Sequence, residues 1–154
     1  MRLLGYRWII LAVSFYVYLV FMFTLQSLPP ILGFLMEEFH ITHSEAGLLM
    51  TFVVLPGATL SLLIGFLSGR LEVRKVGLTA TSTIAAGAFL TGWAETYPQI
   101  LLGRLILGFG GALAAVTMPT LVSKWFPRDE LGKAMGLYNL NVPETEVAAV
   151  LMVG

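Results

Sequence analysis

The stretch QILLGRLILGFGGALAAV, Gln99 to Val116, is apolar or glycine at every position except Gln99 at its edge and Arg104 inside it. No charged residue lies within eight positions of Arg104 on either side. The most hydrophilic of side chains therefore stands in the greasiest kind of segment. Working outward, the same texture recurs along the chain. Trp8 to Met36 carries no charge at all, and further charge-free runs occupy residues 46–69 and 76–94. A bilayer core of about 30 Å is crossed by about 20 helical residues. Runs of this length without strict alternation exclude strands.

Composition agrees. Hydrophobic residues make up 57% of the 154 and charged residues 12%, against about 25% charged in an ordinary globular domain. A soluble chain this poor in charge could not cover its surface, so the class is integral membrane protein. Nine basic and nine acidic residues cancel, and no basic block points to nucleic acid. There is no cysteine. His40 and His43 stand at i, i+3 spacing with only acids nearby as further ligands. They read as loop histidines, and neither a metal nor a cofactor is expected. The N-terminal MRLLGYRW followed by an apolar run is signal-like, but the run exceeds the 7–15 residues of a signal core. It reads as a retained membrane helix.

The expected fold is all-α, a polytopic transmembrane bundle with spans over 8–28, 46–69, 76–94 and 99–123 and a partial fifth over 131–154. Loop charge sets its orientation. Arg2, Arg7, Arg70, Arg74, Lys75, Lys124, Arg128 and Lys133 fall on one side, and the opposite loops hold only Glu37, Glu38, Glu45 and Glu95. The positive-inside rule makes the N-terminus cytoplasmic, in an inner membrane. The ninth basic residue is Arg104.

Small residues recur at helical spacing. Gly57, Ser61, Gly65 and Gly69 form one stripe in the second span; Gly108 with Ala112, and Gly111 with Ala115, form neighbouring stripes in the fourth. Such stripes let helices approach closely in lipid. After Pro29-Pro30 the first helix continues or restarts and ends at Glu37-Glu38, and THSEAG then opens a helix, capped by Thr42 or Ser44 with Glu45 in its first turn. Pro56, Pro119 and Pro143 are expected to kink or break their spans.

Three stretches resemble one family. GFLSGRLEVRK, Gly65 to Lys75, is similar to the loop between helices two and three of the major facilitator superfamily, G-x-L-a-D-R-x-G-R-R/K; Gly69 stands in place of its aspartate and Glu72 in place of its second glycine. The opening stretch resembles the family's fourth-helix motif, with Arg104, Gly108, Gly110 and Ala112 in register and Leu107 in place of glutamine. WFPRDELGKAMGLYN, Trp125 to Asn139, resembles the W-F-P-x-x-E-R-G-x-A-x-G segment joining helices four and five, with Leu131 in place of arginine. The resemblance implies a secondary active transporter of a small solute, nearest to organic-anion, sugar-phosphate or nitrate/cyanate porters. It also implies twelve helices in two halves, so residues 1–154 read as an incomplete N-terminal half-domain. Its partners would be the solute, protons, the lipid bilayer, and either further C-terminal helices or another copy of the chain.

The site residues follow. Arg104 lies about 8 Å below the outer face, at 1.5 Å per residue. A charge at the bilayer centre costs about 2.5–3.5 kcal/mol and faces a cavity or a partner, unless it snorkels outward. By resemblance its position serves proton coupling or the solute. The acids within reach of a fifth span are Glu144 and Glu146, each a candidate partner or proton carrier, and Gln26 and Asn139 are candidate lining groups beside Tyr16, Tyr18 and Thr51. The loop residues Gly65, Gly69, Arg70, Glu72, Arg74 and Lys75, with Glu130, are the candidate cytoplasmic gate. Because Gly69 removes the aspartate, Glu72 substitutes or Glu130 pairs with Arg70. No nucleophile–base set or phosphate loop suggests an enzyme. The rival readings are a small membrane scaffold or assembly protein, and a small multidrug exporter acting as an oligomer. The exporter class needs an acid in its first helix, which residues 8–28 lack.

Overall fold

The computed structural model describes residues 2–68 and 73–140, with side chains over residues 6–66 and 75–140. Six helices follow one another: α1 Arg2–Gln26, α2 Leu28–Glu38, α3 His43–Ser68, α4 Val73–Gly92, α5 Tyr97–Trp125 and α6 Arg128–Asn139. No strand occurs among the described residues. Gly69, Arg70, Glu72, Glu144 and Glu146, and the part of the expected fifth span past residue 140, lie outside the described residues. Arg74 is described only along its backbone.

The first apolar run is one span in two helices. Ser27 keeps helical angles and its N–H donates to Phe23 O at 3.0 Å. Pro29 and Pro30 then fall in the first turn of α2, where a missing N–H costs nothing. The helix restarts at Leu28, with the prolines in its first turn, and ends at Glu38. Beyond it, Phe39 N–H donates to Leu35 O and Ile41 N–H to Met36 O, and His40 takes φ 52°. That is a Schellman ending, with Ile41 folded back into the apolar cluster. Thr42 and Glu45 then cap α3 reciprocally. Thr42 N–H and Oγ1 donate to Glu45 Oε2 at 2.8 and 2.9 Å, and Glu45 N–H donates to Thr42 Oγ1 at 3.4 Å. The expected start is thus realised through Thr42.

α1, with α2 behind it, α3 and α5 are long and apolar enough to cross a membrane. α4 is set apart by its hydroxyls. Thr79, Thr81, Thr83 and Thr91 each donate to a carbonyl four residues back, and Ser82 to one three back. These bonds stay within the helix, so its hydroxyls are satisfied in an apolar setting without outside partners.

α5 is the central post. Its buried positions run round the helix and include Gly103, Gly108, Gly110, Gly111 and Ala112. Each glycine meets a different neighbour. A Cβ on Gly108 would strike the backbone of Val53 in α3, and one on Gly110 would lie 2.8 Å from Ile84 N and 2.9 Å from Ala80 O in α4. One on Gly111 would enter the Phe21 ring of α1. Gly87 and Gly103 bring α4 and α5 together in the same way. The glycines of α5 let three helices touch one axis.

Candidate solute and coupling site

Arg104 follows Tyr97, the first residue of α5, by two turns. Ile100, Gly108 and Gly111 share its face of the helix. It is 2% exposed. At this end of the bundle Leu28, Leu49 and Ile100 form an apolar cluster from α2, α3 and α5. Neither Nε nor Nη1 of Arg104 has a hydrogen-bond partner. The acids at this end are engaged or wet: Glu45 is held by Thr42, and Glu37, Glu38 and Glu95 are exposed. Among the described residues the guanidinium is therefore a buried cation that no carboxylate answers. A group in that state attracts any anion small enough to reach it.

Depth can be read from the register. α1 runs antiparallel to α5, because Tyr6 meets Trp125, Trp8 meets Phe126 and Phe21 covers Gly111. Gln26 lies five residues beyond Phe21 and Arg104 seven before Gly111, which puts them within about 3 Å of the same depth. Gln26 is half-buried. Asn139, by contrast, is exposed at the end of α6, and Tyr16 is exposed on α1. Thr51 is exposed on α3 and spends its hydroxyl on Gly47 O at 3.0 Å.

The opposite end of the bundle carries the basic residues. There Arg7 Nη2 lies 2.9 Å from Glu130 Oε2 and donates to Oε1 at 3.3 Å. The same guanidinium stands over the Phe126 ring, 5.5 Å from its centroid. Trp8 meets Phe126 edge-on at 5.4 Å, and Tyr6 meets Trp125 at 5.4 Å. The sequence reading offered Glu130 to Arg70. Among the described residues its partner is Arg7, 123 residues away in the chain, and Arg70 lies outside them.

Two features escaped the sequence reading. Arg7, Leu11, Ser14, Tyr18 and Phe21 form an i, i+4, i+7 stripe on α1. It faces α5 and α6, where Tyr18 stacks on Tyr138 at 5.4 Å. Ser14 Oγ and Tyr138 Oη are buried on this interface without hydrogen-bond partners. The heptad spacing was the available signal. The second is an apolar groove of about 400 Å³ lined by Ile9, Val13, Leu78, Thr81, Leu121 and Trp125 among others. It lies between α1 and α4 over α5, and its lining is apolar apart from the hydroxyls of Tyr6 and Thr81.

The second-span stripe is placed differently from that of α5. α3 turns Ala46, Leu49 and Val53 inward, and a Cβ on Gly57 or Gly65 would meet nothing within 4 Å. At Gly57 a side chain would thus meet none of the described helices, and Ser61 is only half-buried, whereas Gly108, Gly111 and Ala112 are buried. No group of three His, Asp or Glu side chains able to hold a metal occurs among the described residues.

Comparison with known proteins places these features in context. Residues 14–142 match the sequence profile of the Major Facilitator Superfamily. The probable nitrate transporter NarT of Staphylococcus aureus (strain MRSA252) is 26% identical over 122 residues, covering 79% of this chain and 31% of the relative. NarT of Staphylococcus carnosus (strain TM300) matches to the same extent. The chain spans about a third of the length of these relatives. Among solved structures, a bacterial homolog of the human lysosomal transporter Spinster, inward-facing and unoccupied, superposes with a TM-score of 0.81. It covers 94% of this chain at 19% identity, and this chain covers 30% of it.

Proposed function

The chain belongs to the major facilitator superfamily, and from that premise we propose that it is the N-terminal part of a secondary active transporter moving a small anion by alternating access. Residues 1–154 then form an incomplete first half, with α6 opening a fifth span over residues 131–154. The basic end of the bundle is cytoplasmic, by the charge of its loops. Family membership supports transport in general. The probable nitrate transporters among the relatives support an inorganic anion as the first solute to try.

Arg104 carries the reading. A permanent cation held out of water costs free energy that packing alone does not return, and such residues mark solute or ion paths. With Gln26 at its depth it supplies a charge and an amide to one side of a pathway whose other side belongs to residues beyond 140. Glu144 and Glu146 are the candidate proton carriers. A carboxylate that comes beside Arg104 during the cycle gives up its proton to the field of the cation. An anion that takes its place lets it bind a proton again, which links solute binding to proton uptake. The residues around Gly65 and Lys75 supply the cytoplasmic gate, with Glu72 in the role of the absent aspartate.

The test is uptake into proteoliposomes by the full-length polypeptide that carries this chain. The probes are nitrate, succinate and glucose 6-phosphate, each with and without an inward proton gradient. Arg104→Ala is expected to abolish uptake, and Arg104→Lys to leave a small residue, because an ammonium lacks the planar fork. Full uptake by Arg104→Ala would overturn the role given to this residue. Wild-type protein that moves none of the probes would overturn the anion reading.

A further inference from the structure

The basic end holds a contact set that the pathway does not use. Three consecutive residues of α1 grip the junction of α5 and α6. Tyr6 lies on Trp125, Trp8 on Phe126, and Arg7 reaches between them to Glu130 while covering the Phe126 ring. Farther along the same two helices, Tyr18 stacks on Tyr138. Arg7 to Tyr18 spans eleven residues of α1, and Glu130 to Tyr138 eight of α6. The two fixed points lie about 16 and 12 Å apart along their own axes. Two ties at different depths fix both the height and the rotation of α1 against α6, which one tie would not. Between them Ala134 is fully buried, and Ser14 Oγ and Tyr138 Oη face an interior without partners.

The charges in this clasp are placed to last. The Arg7 side chain is 15% exposed, more enclosed than that of Glu130 at 42%. A guanidinium that sits on an aromatic face and reaches a carboxylate is held by two weakly hydrated contacts at once. Phe126 is 5% exposed and belongs to the same core cluster as Leu11, Ala134 and Tyr138. Separating α1 from α6 would therefore open the core as well as an ion pair.

We propose that Arg7 and Glu130 are positioning residues for transport. Their clasp stays closed through the cycle and makes α1 and the start of α6 move as one body, so that the wall formed by α1 reorients with α5 and α6. This role rests on the transport reading above and assigns the N-terminal arginine a task beyond fixing topology. Arg7 and Glu130 touch no solute, so their loss slows the conformational step and leaves solute affinity alone.

The experiment uses the full-length polypeptide in proteoliposomes, with the probe among the three that the wild type moves fastest. Arg7→Ala and Glu130→Ala are each expected to lower maximal uptake about tenfold with KM changed less than twofold. The charge swap, R7E together with E130R, is expected to recover at least a third of the wild-type rate. Arg7→Lys serves where Arg7→Ala does not reach the membrane; it keeps the charge and loses the fork, for about a threefold loss of rate. A second arm tests whether the clasp stays closed. Tyr6→Cys with Trp125→Cys are bridged by a short methanethiosulfonate crosslinker, as the only thiols this chain then carries. The bridged protein is expected to keep more than half its uptake. Uptake that stops on bridging and returns on reduction would overturn the proposal, because the clasp must then open. Single variants with wild-type rates, or a swap no better than the singles, would also overturn it. Wild-type protein that moves none of the probes counts against the transport reading instead, and the two failures stay distinct.

Discussion

Arg104 and Arg7 stand at opposite ends of one bundle and pose the same problem with opposite answers. Both are arginines on long apolar helices, and both are mostly enclosed. Arg7 has a carboxylate at 2.9 Å and an aromatic face beneath it. Arg104 is more deeply buried and has neither among the described residues, where two of its nitrogens lack any acceptor against Nε alone on Arg7. An answered cation holds parts together. An unanswered one raises the energy of the resting protein and waits for something to bind. The contrast assigns Arg7 to architecture and Arg104 to solute, and each assignment can be broken separately.

The largest expected effect comes from removing the unanswered charge while keeping its volume. Arg104→Met is expected to cut anion uptake at least about 100-fold, as losing one buried charged contact does. The same variant is expected to raise thermal stability in detergent by about 2 kcal/mol, since an unpaired buried charge no longer has to be held out of water. Loss of function with gain of stability is the mark of a strained site. If Arg104→Met unfolds at a lower temperature than wild type, Arg104 has a partner beyond residue 140, Glu144 or Glu146 first among candidates, and the contrast with Arg7 disappears.

The next effect sharpens the comparison through the glycines that bring helices to α5. Gly108→Ala forces a methyl into the Val53 backbone and is expected to cost about 1–3 kcal/mol, the usual range for overpacking. Gly57→Ala meets nothing among the described residues. It is expected to stabilise by up to about 1 kcal/mol through helix propensity alone. Unfolding midpoints by intrinsic fluorescence separate the two. A Gly57→Ala variant that loses stability in the full-length protein would reveal a helix from beyond residue 140 lying on that stripe.

Those glycines also show what the sequence could tell. The two stripes look alike on paper, since each repeats a small residue every three or four positions. Which stripe meets a neighbour depends on how each helix is turned, and rotation is set by all the helices at once. The all-helical membrane class was legible because water and lipid sort charge before any packing occurs. The Thr42–Glu45 cap and the restart at Pro29-Pro30 were legible because their physics is local. Arg104 was legible as a burial problem, yet the absence of a described partner was not. Arg7 read only as a topology signal because its partner Glu130 lies 123 residues away. Ser14 and Tyr138 were missed for the same reason, each being ordinary until the other helix is beside it.

A smaller effect tests the answered cation. Arg7→Met removes an ion pair that is partly wet on its Glu130 side and a cation–π contact. Partly exposed pairs contribute about 0.2–1 kcal/mol, so the unfolding midpoint falls by a few degrees at most. The sign is opposite to that expected for Arg104→Met, and that sign carries the comparison.

The smallest expected effect lies at His40, in the turn that carries α2 into α3. Its φ of 52° is left-handed, a conformation that costs an L residue about 1–2 kcal/mol and glycine almost nothing. His40→Gly removes that cost but gives the unfolded chain more freedom to lose. The two terms partly cancel, leaving a gain of about 0.5 kcal/mol. His40→Val goes the other way, because a β-branched side chain tolerates this region worst. The turn supports Ile41 in the cluster of Leu28, Leu49 and Ile100, and Ile100 stands one turn from Arg104 on α5. If His40→Gly changes uptake while the unfolding midpoint barely moves, the α2–α3 turn helps set the position of Arg104. Unchanged uptake would confine the influence on that arginine to α5 and its immediate neighbours.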